Sequence, residues 1–228
     1  MGNSYKRIDA HLSSLGYCTR SEAKKFLRIY ELYVKDTRVF DPSIKAYHND
    51  ITINNEALDP EIITILLNKP SGFICSHNDA GSLIYALIPQ RWNRRNPKIA
   101  TIGRLDVDTT GAIILTDNGA LNHKLSSPKS DVSKVYEATL AVPLRGDEKE
   151  IFASGELMLN GEKKPLLPAT LEVLNETCVR LEICEGKYHQ VKRMFAAVGN
   201  RVLTLHRVSF GGFTVEDLKE GSYKFIEL

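Results

Sequence analysis

Residues 103–119 read GRLDVDTTGAIILTDNG, the densest grouping of chemistry-bearing residues in the chain. Two glycines, Gly103 and Gly111, frame a short segment that carries the carboxylates of Asp106 and Asp108. Glycine adopts backbone conformations that other residues avoid, so this segment is predicted to be a tight loop. The apolar run that follows Gly111 predicts a buried strand. Loops held by such strands are where binding and catalytic residues concentrate, so this loop is the first candidate site.

The two carboxylates admit a structural interpretation and a catalytic one. In the first, they only stabilise a turn through hydrogen bonds to nearby backbone N–H groups. In the second, DVDTT at residues 106–110 satisfies the D-x-D-x-T pattern of haloacid dehalogenase-type phosphatases, in which the first Asp accepts the phosphoryl group and magnesium is required. Gly103 and Arg104 interrupt the apolar strand that should precede such an Asp, which argues against the phosphatase.

The composition is that of a globular protein. The chain has 228 residues, of which 43% are hydrophobic and 25% charged, so it can bury a core. Its longest apolar runs, at 62–67 and 112–115, are far shorter than the roughly 20 residues of a membrane span. We therefore expect no membrane association and a cytoplasmic protein. The four cysteines form no CxxC pair and the histidines are not clustered, which predicts reduced thiols and no metal site.

The charge is unevenly distributed along the chain. The formal net charge is +2, but residues 1–45 hold nine basic and five acidic side chains, a local net charge of +4. The remaining chain is therefore slightly acidic. This asymmetry indicates a basic module that meets a polyanion.

A helix with one cationic face is predicted within the basic module. Thr19 and Glu22 form a capping box, and apolar residues recur at helical spacing over 23–30. A second face carries four cations: Arg20, Lys24, Lys25 and Arg28. Such a run is often only a solvated surface, but few acids are interleaved with these cations. They are our candidates for polyanion contacts.

The rest of the chain predicts an α+β fold. Strands are predicted at 33–39, 51–53, 62–67, 113–116, 135–142, 169–173, 178–183 and 202–210, and helices at 117–125, 148–153 and 189–198. Runs of strands with few helices between them favour a mixed or largely antiparallel sheet. Turn-forming residues at 54–60 mark a boundary between a small domain at 1–57 and a larger one at 61–228.

Four further segments carry a family resemblance. Residues 103–119 closely resemble the catalytic motif of the RsuA-type pseudouridine synthases, and LNKPSGFICS at 67–76 is similar to the first motif of that family. KVYEATL at 134–140 resembles its tyrosine-bearing strand, and EGKYHQVKRMFAAVGN at 185–200 its third motif. Residues 7–25 are similar to an S4-type RNA-binding domain. The motifs occur in family order over nearly the whole chain.

The resemblance implies conversion of uridine to pseudouridine, with Asp106 as the essential carboxylate. This reaction breaks the N1–C1′ bond, turns the uracil and joins C5 to C1′, so we expect neither a metal nor an organic cofactor. A carboxylate in a dry site becomes protonated unless a cation lies close to it. By resemblance that cation is Lys192, with Arg193 as the alternative. Tyr136 is implied to stack on the uracil.

The remaining site residues are expected to hold RNA or support the loop. The RNA contacts are predicted at Arg104, Lys69, His189, Gln190 and Arg193. Lys69 acts through either backbone or phosphate contacts, and His189 and Gln190 orient either the RNA or the loop. On the predicted helix 189–198, His189, Lys192 and Arg193 share a face opposite an apolar stripe. Asp108 is predicted to tie down the loop by accepting backbone N–H bonds, with Gly103 allowing the turn.

The predicted partner is ribosomal RNA. The third motif is more similar to the small-subunit (16S) members of the family than to the large-subunit (23S) members. Naked rRNA and a partly assembled small-subunit particle are both possible substrates, and the protein is expected to act as a monomer. Two alternatives are a 23S rRNA synthase and a non-catalytic S4-domain RNA-binding or ribosome-assembly factor.

Overall fold

The computed structural model describes residues 3–127 and 130–227. The buried apolar side chains of residues 8–58 form a core separate from that of the residues after them. The later core is the larger one and begins at residue 63. We call the two parts the N-terminal unit (residues 3–58) and the C-terminal unit (residues 63–227).

The N-terminal unit contains short helices and strands. Its helices are α1 (Ile8–Ser14) and α2 (Ala23–Ile29), with a 3-10 turn at His48–Asp50. Its strands are β1 (Tyr5–Arg7), β2 (Leu32–Val34), β3 (Thr37–Arg38), β4 (Lys45–Tyr47), β5 (Ile51–Ile53) and β6 (Glu56–Ala57). The single strand predicted at 33–39 is wrong, because Lys35 at φ 54° turns the chain into the β2–β3 hairpin.

Helix α2 starts later than the sequence predicted. The capping box is half formed: Glu22 accepts a 2.9 Å hydrogen bond from the Thr19 backbone N–H. The Thr19 hydroxyl donates to the same carboxylate at 2.6 Å instead of accepting from a helix N–H. Residues 20–22 therefore form a turn, and the helix begins at Ala23. Its predicted cationic side chains are all exposed: Arg20, Lys24, Lys25 and Arg28.

The C-terminal unit contains the remaining elements. Its strands are β7 (Thr64–Lys69), β8 (Ala100–Ile102), β9 (Thr110–Thr116), β10 (Lys134–Leu140), β11 (Thr170–Val173), β12 (Cys178–Ile183), β13 (Val202–Phe210), β14 (Phe213–Thr214) and β15 (Tyr223–Phe225). Its α-helices are α3 (Gly119–Ser126), α4 (Glu148–Ala153) and α5 (Gln190–Ala197), and 3-10 turns lie at Ile84–Leu87 and Gln90–Arg94. None of the described helices has the length and apolarity to cross a membrane.

The strands of the C-terminal unit form one sheet. Its main path runs β11-β12-β10-β13-β9-β7-β15, with β14 beside β13 and β8 beside β9. The pairs are antiparallel apart from β13 with β9, which is parallel. The predicted mixed, largely antiparallel α+β sheet is thus confirmed. Alternation along β9 sends Ile113 and Leu115 into the main core and Ala112 and Ile114 into a smaller core on the other face.

The junction between the two units is polar and tightly bonded. Arg95 forms a buried ion pair with Asp117, Nε to Oδ2 at 2.7 Å. The same guanidinium donates to the Pro60 carbonyl at 2.8 Å. Asp59 accepts two hydrogen bonds from Arg91, each at 2.9 Å. The segment 59–61 is therefore clamped to the C-terminal unit.

Candidate active site

The acidic loop joins β8 to β9. Gly103 starts it at φ +69°, a conformation that favours glycine, as the sequence predicted. The Thr109 N–H donates to the Asp106 carbonyl at 3.2 Å, which closes a turn around the two carboxylates. The Gly72 N–H donates to the Val107 carbonyl at 2.8 Å, so the segment after β7 packs against the loop. The Asp106 side chain remains 27% exposed and thus accessible to a ligand.

Lys69, the last residue of β7, donates hydrogen bonds to the backbone of this loop. Its side chain is fully buried, and Nζ donates to the carbonyls of Asp106 at 3.1 Å, Val107 at 3.2 Å and Thr109 at 2.8 Å, and to Pro70 at 3.1 Å. Burial lowers the pKa of this ammonium group. All four of these acceptors are backbone carbonyls, and the side chain has no exposed surface. The alternative that it acts through backbone contacts is the one that the geometry matches.

Helix α5 brings two side chains to the Asp106 carboxylate. Lys192 Nζ lies 3.2 Å from Asp106 Oδ2, and His189 Nε2 lies 3.2 Å from Oδ1. The helix packs its apolar stripe into the main core through Val191, Met194 and Phe195, which turns Lys192 toward the loop. Both oxygens of Asp106 thus face a nitrogen donor.

Asp108 binds Lys192, a contact that the sequence did not predict. Lys192 Nζ donates to its two carboxylate oxygens at 2.7 and 2.9 Å, so Asp108 binds the same ammonium group as Asp106. The hydrogen bond from Lys192 lowers the pKa of Asp108 despite partial burial. Burial alone would lower the pKa of Lys192, but the two carboxylates outweigh it and raise that pKa. Asp108 therefore fixes the position of Lys192 as well as belonging to the loop.

His189 does not lie within the helix as predicted. It occupies the N-cap position of α5 with φ 46° and ψ 38°, a left-handed conformation that is uncommon for residues other than glycine. Its ring stacks on Tyr188, with centroids 3.8 Å apart and planes 19° apart. Tyr188 is 70% exposed, and sequence analysis did not select it. A flat aromatic pair therefore lies beside Asp106.

The polar groups of Gln190 and Arg193 bond to other groups of the protein. Gln190 is buried, where it accepts from the Lys187 N–H at 2.8 Å and donates to Glu185 at 3.1 Å. The Arg193 guanidinium pairs with Glu162 at 3.0 Å and donates to the carbonyls of Tyr188 and Asn160. The contacts of Gln190 fit the alternative that it orients the segment before α5, and an RNA contact of Arg193 stays a prediction. Arg193 also does not replace Lys192 as the partner of Asp106.

Arg207 is a buried cation that sequence analysis missed. It lies on β13 with 2% exposure, and its Nε donates to the Ala112 carbonyl at 2.6 Å. Nη1 donates to the Tyr136 hydroxyl at 3.3 Å, whereas Nη2 has no hydrogen-bond partner among the described residues. The available signal was its spacing, because Arg207 lies two residues after Leu205 and therefore on the same, buried face of β13.

The backbones of β9 and β13 approach closely where Arg207 lies beside the end of the acidic loop. In the parallel β13–β9 pair, Arg207 lies opposite Gly111, which has φ +104°. A Cβ atom at Gly111 would lie 2.2 Å from the Arg207 carbonyl oxygen, so only glycine fits. Tyr136 is itself 8% exposed, and its ring lies 5.8 Å from the guanidinium carbon. Gly111 thereby allows the acidic loop, Arg207 and Tyr136 to meet in one region of the sheet.

The site combines an accessible carboxylate with cations and an aromatic surface. Arg104 is exposed two residues before Asp106 and is available to a polyanion. In the described part of the chain, no group of three His, Cys, Asp or Glu side chains close enough to hold a metal includes Asp106 or Asp108.

Substitution of Lys192 by methionine is predicted to reduce the rate of the reaction that Asp106 carries out by roughly 10²-fold. The reason is that Asp106 and Asp108 both lose the ammonium group that they bind. RNA affinity should change by less than about threefold, since Lys192 is occupied by carboxylates. Single-turnover rates and filter-binding constants measured on the same preparations check both expectations. An unchanged rate would contradict the role given to Lys192.

With the fold and the site described, sequence comparison gives the class of protein. The acidic loop leads into β9, which pairs in parallel with β13, and Lys192 bonds both carboxylates of that loop. A sequence model of the RNA pseudouridylate synthase family matches residues 63–197. The chain belongs to this family, and the predicted resemblance is confirmed.

Individual relatives are similar over most of the chain. The ribosomal small subunit pseudouridine synthase A of Pasteurella multocida (strain Pm70) is 41% identical over 224 residues, which cover 96% of this chain and 94% of the relative. The protein of the same name from Escherichia coli (strain K12) is 47% identical over 163 residues, 70% of this chain and 68% of the relative. A crystal structure of a pseudouridylate synthase, 37% identical, superimposes with a TM-score of 0.68 and covers 97% of this chain and 96% of the other.

Proposed function

We propose that this protein isomerises one uridine of small-subunit (16S) rRNA to pseudouridine, with Asp106 as the catalytic carboxylate. The observation that carries the proposal is the environment of Asp106, whose two oxygens face Lys192 and His189 at 3.2 Å each. The small-subunit substrate is supported by the names of the relatives that are similar over nearly the whole chain.

The reaction uses Asp106 as an ionised group. The N1–C1′ bond breaks, the uracil turns within the site, and C5 joins C1′; C5 then loses its proton and N1 gains one, so the product is an isomer of uridine. An ionised carboxylate can attack C1′, attack C6 or remove the C2′ proton, and each role needs the negative charge that Lys192 stabilises. Burial of the target nucleotide excludes water, which would otherwise capture a reactive intermediate.

The uracil needs flat surfaces while it is detached from the sugar. Tyr136 is proposed as one such surface, with its hydroxyl fixed by Arg207 at 3.3 Å. A nucleotide inside a stacked helix cannot present C1′ and C5 to Asp106, so the target must be extruded. Arg104 is exposed beside the loop and is proposed to contact the RNA backbone around the extruded nucleotide.

We assign residues 1–57 to an S4-like RNA-binding domain and residues 61–228 to the catalytic domain. The assignment is supported by the separate cores of the two units and by the exposed cations of α2 and its preceding turn. The protein is proposed to act in the cytoplasm as a monomer, on free 16S rRNA or on a partly assembled small-subunit particle.

The decisive experiment is to map pseudouridine in 16S and 23S rRNA after incubation with the purified protein. Carbodiimide modification followed by primer extension locates each pseudouridine, and unmodified transcripts and small-subunit precursor particles serve as parallel substrates. We expect one new stop, in 16S rRNA, which is absent with Asp106→Asn. A stop only in 23S rRNA would favour the large-subunit alternative. No stop in any substrate would favour the non-catalytic RNA-binding factor.

Replacing Lys24 and Lys25 together by glutamine is predicted to weaken RNA binding and to flatten its salt dependence. Each phosphate contact that is lost lowers the slope of log K against log salt by about 0.7–0.9, because fewer counterions are released. The matched control replaces Lys149 and Lys219, two exposed lysines of the C-terminal unit, by glutamine. Equal slopes for both double variants and the wild type would contradict an RNA-binding role for α2.

A further inference from the structure

Three potential metal ligands converge at the junction of the two units. His11 lies in α1, His48 begins the 3-10 turn after β4, and Glu61 lies in the segment that leads into β7. One donor atom from each lies within 4.8 Å of the other two. Both imidazoles are buried, with 0% exposure for His11 and 6% for His48. These residues are far apart in the sequence, which explains why no metal site was predicted.

The hydrogen bonds of His11 leave one nitrogen ready to coordinate. Its Nε2 lies 3.1 Å from the Ala46 carbonyl oxygen, which can only accept, so Nε2 carries the proton. Nδ1 is then the nitrogen with the free lone pair, and it has no hydrogen-bond partner among the described residues. Metal-binding histidines commonly donate their other N–H to a backbone carbonyl, which fixes the tautomer in this way.

His48 presents the same pattern. Its Nδ1 is also buried without a hydrogen-bond partner in the described part of the chain. An imidazole ring binds a metal through the nitrogen that carries no proton. Two unpartnered nitrogens inside one small region are unusual, because buried polar atoms nearly always have a partner.

Glu61 supplies the negative charge. Its carboxylate is held by the Ser4 backbone N–H, the Ser4 hydroxyl and the Lys6 ammonium group. Its Oε2 accepts from the Ser4 N–H at 2.9 Å, and its Oε1 lies 3.2 Å from Lys6 Nζ. The Lys6 side chain is 36% exposed, so it can turn into solvent when a cation takes its place.

We propose that His11 Nδ1, His48 Nδ1 and a Glu61 carboxylate oxygen bind a divalent transition-metal ion, for which zinc fits best. Zinc accepts imidazole nitrogen at about 2.0–2.1 Å and carboxylate oxygen at similar distances, in tetrahedral geometry. Ligand atoms in such a site lie about 3.4 Å apart, so the 4.8 Å spread must contract through small rotations of the rings and the carboxylate. Water fills the fourth position. Magnesium and calcium do not fit, because they prefer oxygen ligands throughout.

The ion would cross-link the N-terminal unit to the segment that leads into the C-terminal unit. It would connect α1 and the 3-10 turn of the N-terminal unit to Glu61. This residue lies three positions before β7, the first strand of the C-terminal unit. The segment 59–61 is already clamped to the C-terminal unit by Arg91 and Arg95. The metal site therefore stands apart from Asp106 and does not rest on the proposed reaction.

Zinc binding by the full-length protein tests the proposal. After treatment with a chelator and buffer exchange, the protein is titrated with zinc chloride in competition with a chromophoric chelator. We expect one equivalent to bind with a Kd below about 1 µM and to raise the Tm by a few degrees. Cobalt(II) substitution should give the visible absorption of a tetrahedral site. Failure to bind zinc, or an octahedral cobalt spectrum, would overturn the proposal.

Variants assign the ligands. Glu61→Gln keeps the size of the side chain and should weaken zinc binding at least about tenfold, and His48→Phe should weaken it further. His123→Ala is the matched control, because His123 is an exposed histidine on α3. Circular dichroism establishes that each variant is folded, and Glu61→Gln still decides the question if His48→Phe does not fold. Equal zinc affinity in wild type and Glu61→Gln would overturn the assignment.

Discussion

Asp106→Asn will reduce pseudouridine formation by at least about 10⁴-fold, the scale seen when a group that acts directly on the substrate is removed. Asparagine has nearly the same shape as aspartate, and its amide oxygen can still accept from Lys192 or His189. The loop should therefore keep its conformation, since Lys69 and the Thr109 N–H bond its backbone and not the Asp106 side chain. Only the negative charge and the nucleophilic or basic oxygen are lost.

Release of the C5 hydrogen from tritium-labelled uridine in rRNA measures this loss directly in single turnovers. RNA affinity measured by filter binding should stay within about twofold of wild type, because the Asp106 charge repels phosphate and does not bind it. The matched control is Asp79→Asn, which removes an exposed carboxylate of the C-terminal unit outside the acidic loop. If Asp106→Asn retained a rate similar to that of Asp79→Asn, Asp106 would not be the catalytic carboxylate.

The fold was largely predictable because strand and helix periodicity is local. The strands at 178–183 and 202–210 and the helix at 148–153 have the predicted bounds. These bounds need only the spacing of residues within one element. The choice of Lys192 as the partner of Asp106 came from the family resemblance, whereas helical spacing alone left His189, Lys192 and Arg193 together on one face.

The remaining features depend on contacts between elements that are distant in sequence. Arg207 is placed beside the loop by the parallel pairing of β13 with β9, and no local pattern specifies that register. His189 bonds Asp106 from a left-handed N-cap position that a helical wheel cannot anticipate. Gln190 and Arg193 were assigned to RNA because polar residues on a motif suggest binding, yet their partners are protein groups.

Lys69→Met is predicted to have the second largest effect, on both stability and catalysis. Methionine fills similar volume but donates no hydrogen bond, so three carbonyls of the catalytic loop lose a charged donor in a fully buried place. Hydrogen bonds to a charged group are worth roughly 1.5–3 kcal/mol each, and relief from burying the ammonium offsets part of that loss. We expect the free energy of unfolding to fall by about 2–4 kcal/mol.

The effect of Lys69→Met on catalysis should exceed what the loss of stability explains. The loop carries Asp106, and a displacement of about 1 Å in a catalytic group lowers rates by roughly 10²-fold. Urea unfolding and single-turnover rates, both measured where the variant is folded, separate the two effects, with Lys98→Met as the control at an exposed lysine. A fully folded Lys69→Met protein with the wild-type rate would mean that the loop holds Asp106 in place without this ammonium group. The buried lysine would then serve only the packing of the sheet.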